Sequence, residues 1–172
     1  MADGLRLKGP REAYKWWAFL AIGLSFVTIV MATSMVFVML SDIAEDFEVT
    51  LGAVGWVVIV ESLVISALLL PMGGLADRVG RRRVYVWGLV VFGIGSVLTG
   101  IAPTFGALIA ARVVMAVGNA LVQSVVTGLL VGAFPPEERG RAIGGQTTAV
   151  SVGAGLGPLL GGLALEVISW ET

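Results

Sequence analysis

The sequence predicts an all-α membrane protein with five transmembrane helices. Of its 172 residues, 57% are hydrophobic and 13% are charged, whereas a soluble domain usually carries about 25% charged residues. Five long apolar runs follow one another along the chain, and a helix that crosses a bilayer needs roughly 20 such residues. The lysines and arginines collect in alternate links between these runs, which is the pattern of a chain that crosses a membrane repeatedly.

A polar lead precedes the first apolar run. Residues 1–15 contain four basic residues and are predicted to form a cytoplasmic lead, and residues 16–172 are predicted to form the membrane bundle. The first helix is expected at about residues 17–40. The link that follows, 41–50, contains four acidic residues and no lysine or arginine. This link is therefore predicted to lie on the outer side of the membrane.

Four further helices follow, and the links between them differ in charge. The second link is short, glycine-rich and strongly basic, the third is uncharged, and the fourth contains two arginines and two glutamates. The helices themselves are expected at about residues 51–72, 84–101, 105–134 and 142–168.

The positions of the 11 lysines and arginines predict the orientation of the chain. Four lie in the lead, four in the second link and two in the fourth link, and Arg112 alone lies within an apolar run. Short cytoplasmic loops carry an excess of these residues. The sequence therefore predicts a multi-pass protein of the cell membrane with its amino terminus in the cytoplasm. A globular core of buried helices would not sort its charges in this way.

The second link also resembles a family signature. Residues 73–83 read GGLADRVGRRR, which is similar to the G-x-L-A-D-R-x-G-R-R loop between helices two and three of the major facilitator superfamily. The positions that match are Gly73, Leu75, Ala76, Asp77, Arg78, Gly80, Arg81 and Arg82.

The residues of this link predict a bend and a gate. Gly73, Gly74 and Gly80 are expected to turn the chain between the two helices. The carboxylate of Asp77 can form charge-assisted hydrogen bonds with the neighbouring arginines, and the resemblance implies that this loop gates the transport movement. The alternative is that the charges only set the topology and bind lipid phosphates.

The fifth apolar run contains a second resemblance. Its G-x-x-x-G-P-x-x-G-G pattern is similar to the helix-five signature of drug:proton antiporters in the same superfamily. Three glycines recur every four residues and therefore share one helix face, and the proline is expected to bend the helix. The resemblance implies that this face packs against the other half of a transporter and limits proton leak; a generic packing groove of small residues is the alternative. The positions are Gly153, Gly157, Pro158, Gly161 and Gly162.

Two charged residues are predicted to lie at membrane depth. Arg112 follows the start of the fourth helix by about eight residues, or roughly 12 Å, and Glu61 lies about 15 Å along the second helix. Charged groups at this depth usually face a protein interior or a wet cavity. We expect Glu61 and Arg112 to be coupled, so that protonation of Glu61 releases Arg112. The alternatives are a hydrated glutamate that lines a cavity and an arginine held by backbone carbonyls.

The family patterns around these residues match only in part. The fourth helix resembles the R-x-x-Q-G-x-G pattern at Arg112 and Gly118, but Met115 and Ala116 replace the glutamine and the first glycine. The first helix carries Ala32 where fourteen-helix antiporters often have an acidic residue. Drug specificity cannot be carried over from that stretch, and Glu61 is a candidate replacement for the missing acid.

The composition disfavours several other classes of function. The chain has no cysteine and no histidine, which removes thiolate chemistry and the usual metal and proton-shuttle ligands. An enzyme, a metal site and a cofactor are therefore not expected. The basic residues lie at membrane edges and form no tract, so a nucleic-acid partner is not expected either.

The resemblance implies a secondary transporter that exports drugs or other small molecules by proton-coupled alternating access. Its partners would be membrane lipid, a small-molecule substrate and protons. The resemblance implies twelve or fourteen helices, so five would form an incomplete N-terminal six-helix bundle that works with a missing C-terminal half or a second chain. Two alternatives remain: a truncated or accessory membrane chain without transport activity, and a superfamily transporter of another metabolite.

Overall fold

The computed structural model of the protein describes residues 10–167. Over this range it contains α-helices and one 3₁₀ turn, Pro136–Glu138, and no strand. This confirms the all-α prediction. The helices are α1 (Pro10–Asp46), α2 (Leu51–Val79), α3 (Arg81–Gly100), α4 (Phe105–Ala133) and α5 (Arg139–Val167).

The lengths and composition of the helices suit a membrane. Within the described part of the chain, four helices are long and apolar enough to cross a bilayer: Phe19–Asp46 of α1, and the whole of α2, α3 and α4. The fifth helix, α5, has 29 residues, as many as α2 and α4. Its first half is richer in glycine, threonine and serine than the other helices.

The helices extend further into the links than the apolar runs suggest. α1 begins at Pro10, inside the stretch assigned to the lead, and continues to Asp46; residues 1–9 lie outside the described part. Threonine side chains begin two of the other helices, because a hydroxyl can accept from an amide that the first turn leaves unpaired. Thr50 accepts from the Ala53 N–H at 3.3 Å, and Thr104 accepts from the Ala107 N–H at 3.2 Å.

The prediction that three glycines bend the second link was wrong for two of them. α2 continues through Gly73 and Gly74 to Val79, because a glycine keeps its backbone hydrogen bonds in a helix that water does not compete for. Gly80 is the single residue between α2 and α3. It has a φ of +106°, a conformation that glycine adopts without strain, and its N–H still closes α2 on the Ala76 carbonyl at 2.9 Å.

α4 is the central helix of the bundle. It packs on α3 along one side and on α2 along the other, and α5 packs mainly on α1. The contact between α3 and α4 is close because both helices place glycines in it. A Cβ atom on Gly118 would lie 2.7 Å from the Phe92 Cα, and a Cβ atom on Gly95 would lie 2.6 Å from the Met115 Cα. Gly118, which matches the family pattern, therefore serves packing in this structure.

The glycine face of α5 packs on α1. A Cβ atom on Gly153 would lie 2.8 Å from the carbonyl oxygen of Val27, and one on Gly157 would lie 2.6 Å from the carbonyl oxygen of Met31. Backbone atoms cannot move aside as a flexible side chain can. The glycines at these positions are therefore what lets the two helices approach.

This contact corrects an expectation drawn from the resemblance. Gly153, Gly157 and Gly161 are buried against α1, so they do not form a bare face that waits for another half. Pro158 is exposed instead, and Gly162 is half-buried with open space beside it. Consecutive residues of a helix point in different directions. Gly157 faces α1, whereas Pro158 lies on a side of α5 that no described helix covers.

Candidate functional site

The two predicted membrane-depth charges meet in the structure. Nη1 of Arg112 on α4 lies 3.7 Å from Oε2 of Glu61 on α2. Glu61 is 5% exposed and Arg112 is 6% exposed. A buried charge is costly unless it is paired, and the pair supplies a counter-charge for each group. The structure thus brings a carboxylate and a guanidinium, which carry opposite charges, into contact inside the bundle.

A third helix contributes to the site through Thr33. Its hydroxyl donates a hydrogen bond of 2.9 Å to Oε1 of Glu61, so α1, α2 and α4 converge on one carboxylate. Sequence reasoning missed Thr33. The available signal was its position beside Ala32, where the related antiporters carry their helix-one acid.

Arg112 is only partly satisfied by its neighbours. Its Nη1 lies 4.0 Å from the Met115 sulfur, which is a weak acceptor. Its Nε is buried, with no hydrogen-bond partner in the described part of the protein. The distance to Glu61 is that of an ion pair without a short hydrogen bond. Arg112 therefore keeps hydrogen-bonding capacity that another acceptor can use.

A cavity of 540 Å³ reaches this arginine from one end of the bundle. It lies among the end of α1, the end of α3 and the start of α4, close to the acidic α1–α2 link, and it has room for many waters. Arg112 forms part of its wall, so the ion pair adjoins a space that water can fill. The residues that line it are Met39, Asp42, Ile43, Asp46, Phe47, Thr99, Gly100, Ala102, Leu108 and Arg112.

The predicted gating loop lies at the opposite end of the bundle. The Nε and Nη2 of Arg81 both donate to Oδ1 of Asp77, at 3.2 and 3.0 Å. The side chains of this pair remain 49% and 64% exposed, and exposed pairs contribute little to stability, about 0.2–1 kcal/mol. Arg78 and Arg82 are exposed and form no ion pair with a described residue.

Arg81 also contacts α4. A Cβ atom on Gly128 would lie 2.6 Å from Nη1 of Arg81, so the guanidinium rests over a glycine that leaves room for it. One arginine therefore touches α2 through Asp77 and α4 through Gly128 while it begins α3. Sequence reasoning did not single out Gly128, because its spacing differs from that of the family patterns.

The comparisons with known proteins agree on one family. Residues 22–172 match the family model described as Major Facilitator Superfamily. The chain is 33% identical over 158 residues to the riboflavin transporter RibZ of Clostridioides difficile (strain 630), an alignment that covers 92% of this chain and 35% of RibZ. It is 36% identical over 165 residues to the methylenomycin A resistance protein of Streptomyces coelicolor, covering 95% of this chain and 35% of that protein. The chain thus spans about a third of the length of these relatives.

A solved structure supports the fold. The helices superpose on a bacterial homolog of the human lysosomal transporter Spinster, in an inward-facing and unoccupied conformation, with a TM-score of 0.80. The two proteins are 23% identical, and the match covers 93% of this chain and 32% of the other. The likeness shows a shared fold.

Proposed function

The chain belongs to the Major Facilitator Superfamily, and from this premise we propose that it forms part of a secondary transporter that exports small organic molecules, drugs among them, in exchange for protons. The observation that carries the proposal is the buried contact between Glu61 and Arg112. The resemblance to a drug-resistance protein and to a riboflavin transporter supports a small organic cargo.

The proposed orientation follows from the charges at the two ends of the bundle. Six of the 11 lysines and arginines lie where α2 meets α3 (78–83) and at the start of α5 (139–141), so we place these helix ends in the cytoplasm of the cell, together with the amino terminus. The acidic end of α1 and the link that follows it then lie outside. In this orientation the 540 Å³ cavity connects the outer side with Arg112.

Proton coupling would use the ion pair as a two-state element. In the deprotonated state the Glu61 carboxylate holds Arg112 and accepts from Thr33. A proton that arrives from the outer cavity binds to a Glu61 oxygen, and the neutral acid no longer attracts the guanidinium. Arg112 then turns to another acceptor, and α1, α2 and α4 lose a shared contact. Loss of the proton to the cytoplasmic side restores the pair, so one proton moves inward per cycle.

The Asp77–Arg81 contact would take part in alternating access. It joins α2 to α3, lies over α4 at Gly128, and is weak enough to break during a rigid-body movement. We propose that it holds one of the two conformations at the cytoplasmic end. Arg78 and Arg82 would remain near lipid phosphates.

The five helices would work with a second half, either a further part of a longer polypeptide or a second chain. Large apolar side chains are exposed on α2 and α5, and in a membrane such faces contact lipid or other helices. The clearest examples are Leu63, Leu70, Leu159 and Leu163.

The experiment uses the complete transporter in sealed lipid vesicles loaded with a fluorescent organic dye. We expect an imposed pH gradient to drive the dye against its own gradient, and a protonophore to stop it. Dye movement that ignores the pH gradient would contradict proton coupling. No movement of any cargo would favour an accessory membrane chain.

A second cargo class follows from one comparison. The similarity to a riboflavin transporter favours a vitamin-sized metabolite as cargo. The same vesicles test this directly, because riboflavin is itself fluorescent, and competition between riboflavin and the dye would show whether they share one path.

A further inference from the structure

A stripe of polar side chains continues along α4 beyond the ion pair. Asn119, Gln123 and Thr127 follow Arg112 at intervals of seven, four and four residues, so all four lie on one helix face. Gln123 Nε2 donates to Asn119 Oδ1 at 2.9 Å, and Thr127 donates to Gln146 Oε1 on α5 at 3.3 Å. The proton cycle proposed above uses only the first member of the stripe.

Helix packing does not account for the two amides. Polar side chains inside a membrane usually join helices to one another or face a cavity. The Asn119–Gln123 hydrogen bond connects two residues of the same helix, so it holds no neighbour in place. Asn119 is nevertheless buried, with 3% of its surface exposed. Burying an amide costs free energy unless its polar atoms are hydrogen-bonded.

Each amide has one end that is not used in their mutual bond. Whichever way the two groups are turned, one NH2 group and one carbonyl stay outside the mutual bond. Among the described residues, the enclosed side-chain atoms without a partner are Tyr85 Oη and Arg112 Nε. The unused ends of Asn119 and Gln123 are not among these enclosed atoms, and Gln123 is only half-buried, so a small group can approach the pair from the Gln123 end.

We propose that Asn119 and Gln123 bind a neutral polar group of the cargo that presents an acceptor and a donor side by side, such as a primary carboxamide or the edge of a lactam. This inference rests on the proposed transport function but not on its proton coupling. A neutral group fits because the amides carry no charge, and because Glu61 and Arg112 balance each other about two to three turns away.

The test uses the complete transporter in lipid vesicles with two fluorescent probes that differ at one group. One probe is a primary carboxamide and the other is its N,N-dimethyl analogue, which has lost the donor. At equal concentrations below saturation, we expect the carboxamide to be transported about tenfold faster, the effect of roughly one hydrogen bond. The N119L/Q123L variant should transport both probes at the same rate.

Ser124→Ala is the matched control on the same helix. The Ser124 hydroxyl donates to the carbonyl of Leu121 at 2.8 Å and lies off the stripe, so this variant should keep the preference. A preference that persists in N119L/Q123L, or equal rates in the unaltered protein, would overturn the inference. A preference without any response to the pH gradient would overturn the proton coupling and leave the amide site standing.

A labelling experiment covers the case in which the double variant does not insert. The chain has no cysteine, so Thr127→Cys introduces a single exposed thiol into it, one turn beyond Gln123, and leaves both amides in place. We expect the primary carboxamide to slow reaction of this thiol with a water-soluble maleimide, and the dimethyl analogue to slow it about tenfold less. Equal protection by both probes, or by neither, would overturn the inference.

Discussion

Replacing Glu61 by glutamine is expected to abolish transport driven by a pH gradient. Glutamine keeps the shape of the side chain and can still accept the hydrogen bond from Thr33, but it takes up no proton and carries no charge for Arg112. Loss of a group that transfers a proton typically reduces a rate by about a hundredfold or more. The measurement is dye accumulation in vesicles under an imposed pH gradient, and dye exchange without a gradient should continue.

A second variant separates coupling from folding. Glu61→Gln leaves Arg112 buried without a counter-charge, which costs roughly 3–5 kcal/mol when one partner of a buried pair is removed. The double variant E61Q/R112Q removes both charges and should return the amount of folded protein toward normal, yet remain uncoupled. Glu61→Asp keeps the acid and should retain part of the coupling. Unchanged gradient-driven transport in E61Q would reject the role of Glu61.

Replacing Gly157 by alanine is expected to separate α5 from α1. The new Cβ atom would lie 2.6 Å from the carbonyl oxygen of Met31, which is backbone and cannot turn away. Such overpacking costs about 1–3 kcal/mol and occasionally more. We expect thermal unfolding in detergent micelles to begin several degrees lower.

Gly155 on the same helix supplies the matched control. It is exposed, and a Cβ atom added there would meet nothing within 4 Å. Gly155→Ala should leave the unfolding temperature unchanged or raise it slightly, because alanine favours the helix. Equal shifts in the two variants would show that α1 and α5 do not pack through this face.

The membrane class and the existence of the helices were predictable because they depend on composition and run length. The ends of the helices were harder to predict from the sequence. The pair Gly73–Gly74 is typical of a turn in a soluble protein, yet α2 runs through it, since water does not compete for its hydrogen bonds. Of the three glycines, only Gly80 has a positive φ, and its neighbours along the chain give no signal that separates it from the other two.

The sequence predicted how deep in the membrane the charged residues of the candidate site lie, but not which side chains they contact. Counting residues from the helix starts put Glu61 and Arg112 at similar heights, and the structure places them 3.7 Å apart. The contact with Thr33 depends on how α1 is rotated about its own axis. The apolar run of α1 has no distinct polar face from which this rotation could be predicted. The spacing of Gly153 and Gly157 likewise predicted a shared face but could not say that α1 would cover it.

The account depends most on the proposed direction of the helices, because the outer cavity and the cytoplasmic gate exchange places if the chain is inverted. Glu45 and Glu137 are exposed in the α1–α2 and α4–α5 regions, and replacing either by cysteine leaves every lysine and arginine in place. A membrane-impermeant maleimide applied to intact cells should label Glu45→Cys at once and Glu137→Cys only after the membrane is opened. Labelling of Glu137→Cys in intact cells, with Glu45→Cys protected, would contradict the account.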